Sequence, residues 1–161
     1  MTALAEPLSR SAGVLYSACG GIWVMMMHAP PVAADMLAAR PSLLAMSERF
    51  PGGFPTLTWV MPGAGFSMDA EARKLASKIT VEFNALILAQ ATLIEGTGFQ
   101  AAAVRAIIAG IDMMTRSTAP KKTFDRLRPS VDWCLTLRPP PADATAAAIC
   151  AALEAARKPL G

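Results

Sequence analysis

The stretch over residues 11–34 contains no Asp, Glu, Lys or Arg, and it constrains the fold more than any other part of the chain. Its apolar runs GVLYSACG and GIWVMMMHAPP meet at Gly20 and Gly21, and a two-glycine joint between β-prone runs is typical of a hairpin. A signal peptide or a membrane span would also be uncharged. However, the glycine pair and the prolines at 30 and 31 interrupt the run, and the preceding MTALAEPLSR has no excess of positive charge. We therefore predict two adjacent strands, the second of them covered on both faces.

Beyond the hairpin, apolar runs typical of strands alternate with segments of helical periodicity. FPTLTWVMP predicts a third strand and residues 86–94 a fourth. The helical segment before the third strand should break after Ala39, because Pro41 follows. The alternation predicts an α/β fold, with a single sheet, an N-terminal hairpin, parallel central strands and helices packed on it.

The helices are predicted from apolar residues that recur at helical spacing. The helix after the third strand should open at Ser67 as its N-cap, with Asp69 and Glu71 in the first turn, where the helix dipole favours negative charge. The next helix, in FQAAAVRAIIAGIDMMTRS, should direct one stripe at the core: Val104, Ile107, Ile108, Ile111 and Met114. KKTFDRLRPSVDWCLTL predicts a closing helix.

The proline-rich segment RPPPAD predicts a stiff linker to an extra C-terminal helix over residues 142–157. We therefore divide the chain into an α/β domain over residues 1–137 and a linker with a helix over residues 138–161. The helix carries a thin apolar stripe of Ile149, Leu153 and Ala156. It either docks on its own sheet or packs on a second subunit, and the sequence leaves both arrangements open.

Composition argues against several classes of function. The net charge is +3, aromatic residues make up 6%, and the only close group of cations is Lys121, Lys122, Arg126 and Arg128, which we interpret as a solvated helix face. No nucleic-acid partner is predicted. The three cysteines show no C-x-x-C spacing and His28 is the only histidine, so neither a disulfide framework nor a metal site is expected. Reduced thiols favour a cytoplasmic protein.

No residue pattern indicates an enzyme, and we predict no catalytic residue and no cofactor. The sequence has no His–acid pair and no G-x-S-x-G motif. Glu95 stands out because it follows the fourth strand at the edge where open α/β sheets bind ligands. A strand-end acid that caps its own turn is the simpler interpretation of Glu95. Arg105 is interpreted as a solvated helix charge and His28 as a structural residue.

Two glycine-rich loops follow the third and fourth strands and form the candidate binding edge. Helix N-termini at such an edge present free N–H groups to an anion. Neither PGAG nor GTG belongs to a G-x-x-x-x-G-K-[ST] pattern or completes G-x-G-x-x-G, because Met68 and Ala101 occupy the third glycine position. Turn geometry alone explains the glycines. The candidate ligand- or partner-binding residues are Gly63, Gly65, Phe66, Ser67, Gly96, Gly98 and Phe99.

The element order and the segment EGTGFQAAAVRAIIAGIDMMTRSTAPKKTFDRLRPSVDWCL, with its late Trp133, resemble small stand-alone bacterial proteins of the STAS type, the anti-sigma-factor antagonist fold. The resemblance covers roughly residues 13–137 and implies a regulatory domain that binds proteins. In the antagonist branch, an aspartate–serine pair after the third strand carries a phosphorylatable serine. Here Met61 and Pro62 stand where the aspartate is expected, so Ser67 is a phosphorylation candidate by position only.

We therefore predict a non-enzymatic, regulatory protein–protein interaction domain that is homodimeric through an apolar surface or the C-terminal helix. Hydrophobic residues make up 53% of the chain and the mean hydropathy is +0.39, so an apolar face is expected to need a partner. The alternative is a domain that binds a small ligand, an anion or a nucleotide at the two glycine loops. A third interpretation is a carrier of an apolar ligand with methionines around a closed cavity, although core packing is the commoner use of methionine.

Overall fold

The computed structural model of the chain describes residues 5–64, 67–96 and 98–160. Its strands are β1 (Ala5–Arg10), β2 (Val14–Cys19), β3 (Ile22–Met27), β4 (Phe54–Val60), β5 (Ile87–Ile94) and β6 (Lys121–Phe124). They form one sheet in which the spatial order follows the chain order. β2 pairs antiparallel with both β1 and β3, and the neighbouring strands from β3 to β6 pair parallel. The predicted α/β sheet with an N-terminal hairpin and parallel central strands is confirmed.

Helices cover both faces of this sheet. They are α1 (Ala33–Leu37), α2 (Ala39–Arg49), α3 (Ala70–Phe83), α4 (Phe99–Thr115), α5 (Leu127–Leu137) and α6 (Ala146–Arg157). One core joins α1 to α4 to the face that carries Tyr16, Met25 and Val60, here called the front face. A second core joins α5 and α6 to the face that carries Val24, Leu57 and Leu93, here called the back face.

The hairpin forms where the two glycines predict it. Gly20 and Gly21 have φ values of 57° and 81°, and Cys19 pairs directly with Ile22 across the turn. A two-residue turn with positive φ at both positions matches the right-handed twist of the strands and favours glycine. Every residue of β2 and β3 is buried, as expected for strands covered on both faces. In the part of the chain that the structure describes, no helix is long and apolar enough to cross a membrane.

The sequence analysis predicts neither of the two edge strands, β1 and β6. The presence of β6 also corrects the predicted closing helix. Residues 121–137 were expected to form one helix, but residues 121–124 are β6, and α5 begins at Leu127. Three of the four β6 residues are exposed, so the strand lacks the apolar alternation that reveals a buried strand. β1 is likewise only half-buried and contains Pro7, a residue that sheets tolerate at their edges.

Three helix boundaries differ from those that the sequence predicts. Ser67 is not the N-cap of α3; Asp69 is, because its side chain accepts a 2.7 Å hydrogen bond from the Ala72 N–H. The break before α2 falls at Ala38, since Pro41 lies in the first turn of α2, where proline removes no helical hydrogen bond. The terminal helix begins at residue 146 rather than 142, with Thr145 as its N-cap.

Buried hydrogen bonds to Asp35 fix α1 against the hairpin. The Tyr16 hydroxyl donates to the Asp35 carbonyl over 2.6 Å, and the Asp35 carboxylate accepts from the N–H groups of Gly13 and Val32 over 3.2 and 2.8 Å. Burial acts to raise the pKa of this carboxyl, but its contacts with Ser11, Val32 and Gly13 and the nearby His28 outweigh burial and lower the pKa. The short helix is therefore held in place at one end of the front face.

Candidate functional site

A cavity of about 160 Å³ lies between the front face of the sheet and the helices that cover it, and we call it the front cavity. Apolar side chains from β3, α1, α3, α4 and the loop before α3 form most of its wall, among them Met25, Met27, Met36, Met68, Ile79, Val104, Ile107, Ile108 and Ile111. An apolar cavity with a few polar groups in its lining is the usual form of a small-molecule site.

The floor of the front cavity becomes more polar from strand to strand. Directly registered neighbours on β3, β4, β5 and β6 form two rows: Trp23, Thr56, Gln90, Lys121 and Met25, Thr58, Thr92, Thr123. Each row begins with an apolar side chain at mid-sheet and ends with an ammonium or hydroxyl group at the β6 edge. A ligand on this floor would meet an apolar surface at one end and hydrogen-bonding groups at the other.

Two of the floor hydroxyls are available to a ligand. The Thr56 hydroxyl donates to the Ala89 carbonyl over 3.3 Å. Among the described residues, the hydroxyls of Thr58 and Thr92 have no hydrogen-bond partner within the chain, and neither hydroxyl oxygen is one of the fully buried unpartnered atoms. Both hydroxyls can therefore bond to water or to a ligand. The floor offers these two hydrogen-bonding groups beside an apolar wall.

The methionines divide between the cavity and other surfaces. Met25 and Met27 line the front cavity, whereas Met26 belongs to the back core, as the alternation of a strand requires. Met113 and Met114 do not line the cavity; their exposed fractions are 82% and 58%. The expectation that Met114 faces the core is therefore wrong, because it lies in the last turn of α4, on the solvent side.

A smaller, more polar cavity of about 110 Å³ adjoins the front cavity at the β6 edge, and we call it the mouth cavity. It shares part of its lining with the front cavity, namely Gln90, Thr92, Ile108 and Asp112, and adds Lys121, Lys122 and Thr123. The Lys121 ammonium lies 3.2 Å from the Asp112 carboxylate. The Gln90 amide donates to the Ser117 hydroxyl over 3.3 Å.

The first predicted glycine loop leaves β4 at the expected edge of the sheet. Gly63 is exposed with a φ of 90°, and a Cβ built on it would meet no other atom within 4 Å. Ser67 is exposed, and it is part of the front-cavity lining. The candidates Gly65 and Phe66 lie outside the described residues. Phosphorylation of Ser67 stays a prediction.

The second predicted loop leaves β5 beside the first, because Val60 and Ile94 are registered neighbours. Gly96 and Gly98 have φ values of 97° and 82°, and Gly98 is the N-cap of α4. Phe99, the first residue of α4, has an exposed fraction of 78%. The two loops therefore share one edge, but helix N-termini do not by themselves make an anion site. A buried atom without a hydrogen-bond partner, Glu95 Oε2, lies at this edge, and a carboxylate oxygen repels an anion.

Glu95 joins this edge to the terminal helix. Its carboxylate accepts a 2.7 Å hydrogen bond from Arg157 Nη1, and the same guanidinium lies 5.2 Å from the centre of the Trp59 ring. The interpretation of Glu95 as a cap of its own turn is not what the structure shows, because its partner is 62 residues away in sequence. Glu95, the acid that stands out in the sequence at the loop edge, is therefore paired with Arg157 of the terminal helix.

Among the remaining titratable groups, His28 and the buried cysteines have shifted pKa values. Burial and the nearby Arg10 lower the pKa of His28. Burial raises the pKa values of Cys19 and Cys134 to about 12, so both thiols stay protonated at neutral pH. In the described ranges no group of three His, Cys, Asp or Glu side chains could hold a metal ion.

Sequence reasoning missed the residues that give the site its chemistry. Thr56, Thr58, Gln90 and Thr92 lie in segments that the sequence predicts only as apolar strands. A signal is nevertheless present, because TLT in β4 and QAT in β5 place a polar residue at every second position of a buried strand. A methionine-lined cavity is the third of the interpretations that the sequence allows.

Comparisons with protein-family models, with curated protein sequences and with solved structures find no significant match to this chain. The function therefore has to be argued from the site itself.

Proposed function

We propose that this chain binds a small, mainly apolar molecule in the front cavity and that it does so without catalysing a reaction. The observation that carries the proposal is the unfilled volume of about 160 Å³ between the sheet and α4. Protein interiors are packed as densely as organic crystals, so voids much larger than a water molecule are few. A cavity of about 150 Å³ with aliphatic walls stays dry and binds benzene.

The helix α4 supports this interpretation. Ile107, Ile108 and Ile111 line the front cavity yet remain only partly buried, although the sequence predicts them as core residues. A bound apolar molecule would remove their remaining exposed surface from water. Each CH₂ group so transferred contributes about 0.8 kcal/mol.

A homologous series of linear alcohols tests the proposal. We expect isothermal titration calorimetry to detect binding of 1-hexanol and 1-octanol to the full chain, with octanol tighter by about tenfold because two more CH₂ groups are buried. Equal affinities, or no heat with either alcohol at two well-separated temperatures, would contradict a buried apolar site, because the heat-capacity change of apolar burial makes the enthalpy differ from zero at one of them.

A cavity-filling variant locates the binding. Ala76 of α3 lines the front cavity, so Ala76→Leu should occupy part of its volume and weaken octanol binding by at least about tenfold. The matched control is Ala155→Leu, the same change at an exposed position of α6, which should leave binding unchanged. Circular dichroism and thermal unfolding of both variants check that the fold is retained.

A second candidate function is the regulatory protein interaction that the STAS resemblance implies, with a second copy of the chain as partner. The observation that favours it is the outer face of α4, where Ala102, Ala106, Ala109, Gly110 and Met113 are exposed, with the charged Arg105 at its border. Small residues let two helices approach closely, and methionine adapts to varied apolar partners. This function and the first are compatible, because they use opposite sides of α4.

Light scattering tests the second candidate. We expect a dimer at micromolar concentration that becomes a monomer in Met113→Glu, because a buried carboxylate in an apolar interface is costly. Leu37→Glu is the control, since Leu37 is also exposed, at 56%, but lies on α1. A wild-type monomer, or a dimer that both variants retain, would exclude the outer face of α4 as the interface.

A further inference from the structure

We infer that the ligand of the front cavity is a single-chain amphiphile with a carboxylate head, and that the head binds in the mouth cavity beside Lys121. This inference rests on the proposed function, because it presumes that the front cavity holds an apolar chain. It adds the chemical class of the ligand and its orientation. The two cavities adjoin through shared lining residues, so one elongated molecule can occupy both.

The lining of the mouth cavity includes hydrogen-bond donors that are not all used by partners among the described residues. A lysine ammonium has three N–H donors, and the Lys121 ammonium lies close to one carboxylate, that of Asp112. The amide of Gln90 has a second N–H beyond the one given to Ser117. The hydroxyls of Thr92 and Thr123 lie on the same face of adjacent strands. Asp112 is the only acid in the lining, so these free donors favour a head that accepts several hydrogen bonds.

The cation that faces the mouth cavity is Lys121. It shares a face of the sheet with Gln90, whereas the Lys122 ammonium lies 5.4 Å from the centre of the Phe124 ring, which belongs to the back core. A carboxylate can accept from several donors at once, and charge-assisted hydrogen bonds are about twice as strong as neutral ones. An amine head beside Lys121 would be repelled by its ammonium group, and an alcohol head would leave most of the donors without a partner.

The size of the front cavity sets the length of the apolar chain. Its volume of about 160 Å³ is close to that of an engineered cavity that binds benzene. A chain of roughly six to eight carbon atoms therefore suits it, with its terminal methyl toward Met25 and Met27 and its polar end toward the β6 edge.

The experiment compares three eight-carbon probes on the full chain at neutral pH: octanoate, 1-octanol and octylamine. We expect octanoate to bind at least about tenfold more tightly than octanol, and octylamine to bind most weakly. In Lys121→Met the octanoate affinity should fall by about tenfold, whereas the octanol affinity should stay within about twofold of the wild type. Lys158→Met, a change at an exposed lysine beyond α6, is the matched control and should alter neither affinity.

The outcomes separate this inference from the function on which it rests. If octanol binds as tightly as octanoate, the carboxylate head is wrong while the apolar site stands. If octylamine binds most tightly, Asp112 rather than Lys121 receives the head, and the inference is overturned. If no probe binds, the proposed function itself fails. Lys121→Gln, which keeps a hydrogen-bond donor and removes the charge, repeats the test should the methionine variant not fold.

Discussion

Replacing Gly53 with alanine is expected to lower the free energy of unfolding by about 3 kcal/mol, from backbone strain and a steric clash together. Gly53 has a φ of 98°, and a Cβ built on it would lie 2.7 Å from the Leu86 carbonyl oxygen and 2.8 Å from Leu88 Cδ2. The backbone has little freedom to relax, because the Gly53 N–H donates to Phe50 and its carbonyl accepts a 2.8 Å hydrogen bond from Arg138.

The neighbouring glycine provides the control for this prediction. A Cβ on Gly52 would meet nothing within 4 Å, and its φ lies outside the left-handed region. Gly52→Ala should therefore change the stability by less than about 0.5 kcal/mol. Urea denaturation of the two variants measures the difference. Similar midpoints would mean that the joint between α2 and β4 tolerates a side chain, and that the close approach to Leu86 is not rigid.

Leu153→Ala should also lower the free energy of unfolding by about 3 kcal/mol, because it leaves a void in the back core. Leu153 is fully buried, and with Ile149 it packs α6 on the back face of the sheet. Of the two arrangements that the sequence left open for the C-terminal stripe, the structure has the one within the chain. The terminal helix therefore contributes to the stability of the sheet.

The same substitution at an exposed leucine separates burial from helix propensity. Leu37 has an exposed fraction of 56% at the end of α1, so Leu37→Ala should change the stability by less than about 0.5 kcal/mol. In thermal and urea unfolding, Leu153→Ala should therefore be much less stable than Leu37→Ala. If Leu153→Ala unfolds like the wild type, the docking of α6 on the back face contributes no stability and that packing is wrong.

The parts of the fold that could be predicted are those with a local signal. The glycine pair at 20 and 21 predicts a hairpin, and the apolar runs of β3, β4 and β5 favour buried strands. The edge strand β6 has no such signal, because its lysines suit an exposed edge as well as a helix surface. The N-cap of α3 is Asp69 rather than the predicted Ser67. Both residue types are good N-caps, so the local sequence does not choose between them and tertiary packing does.

The candidate site depends on register, which the sequence does not display. The pairing of β5 with β6 places Gln90 beside Lys121 and Thr92 beside Thr123. The sequence does not predict β6, so these neighbours could not be predicted either. The glycine loops were predicted to share one edge because parallel strands end together, and they do. The front cavity depends on how far α4 stands from the sheet, a distance that no pattern of residue types encodes.

The order of the strands has a consequence for synthesis on the ribosome. The helices between the parallel strands lie on the front face, and the back face is covered by α5 and α6, which follow every strand in the chain. About 60 residues separate the end of β5 from the end of α6. At roughly 5–20 residues per second, translation of that segment takes about 3 to 13 seconds. Until first α5 and then α6 are complete, the apolar back side of the nascent sheet lacks its full cover, so we expect the chain to be most prone to aggregation in this interval.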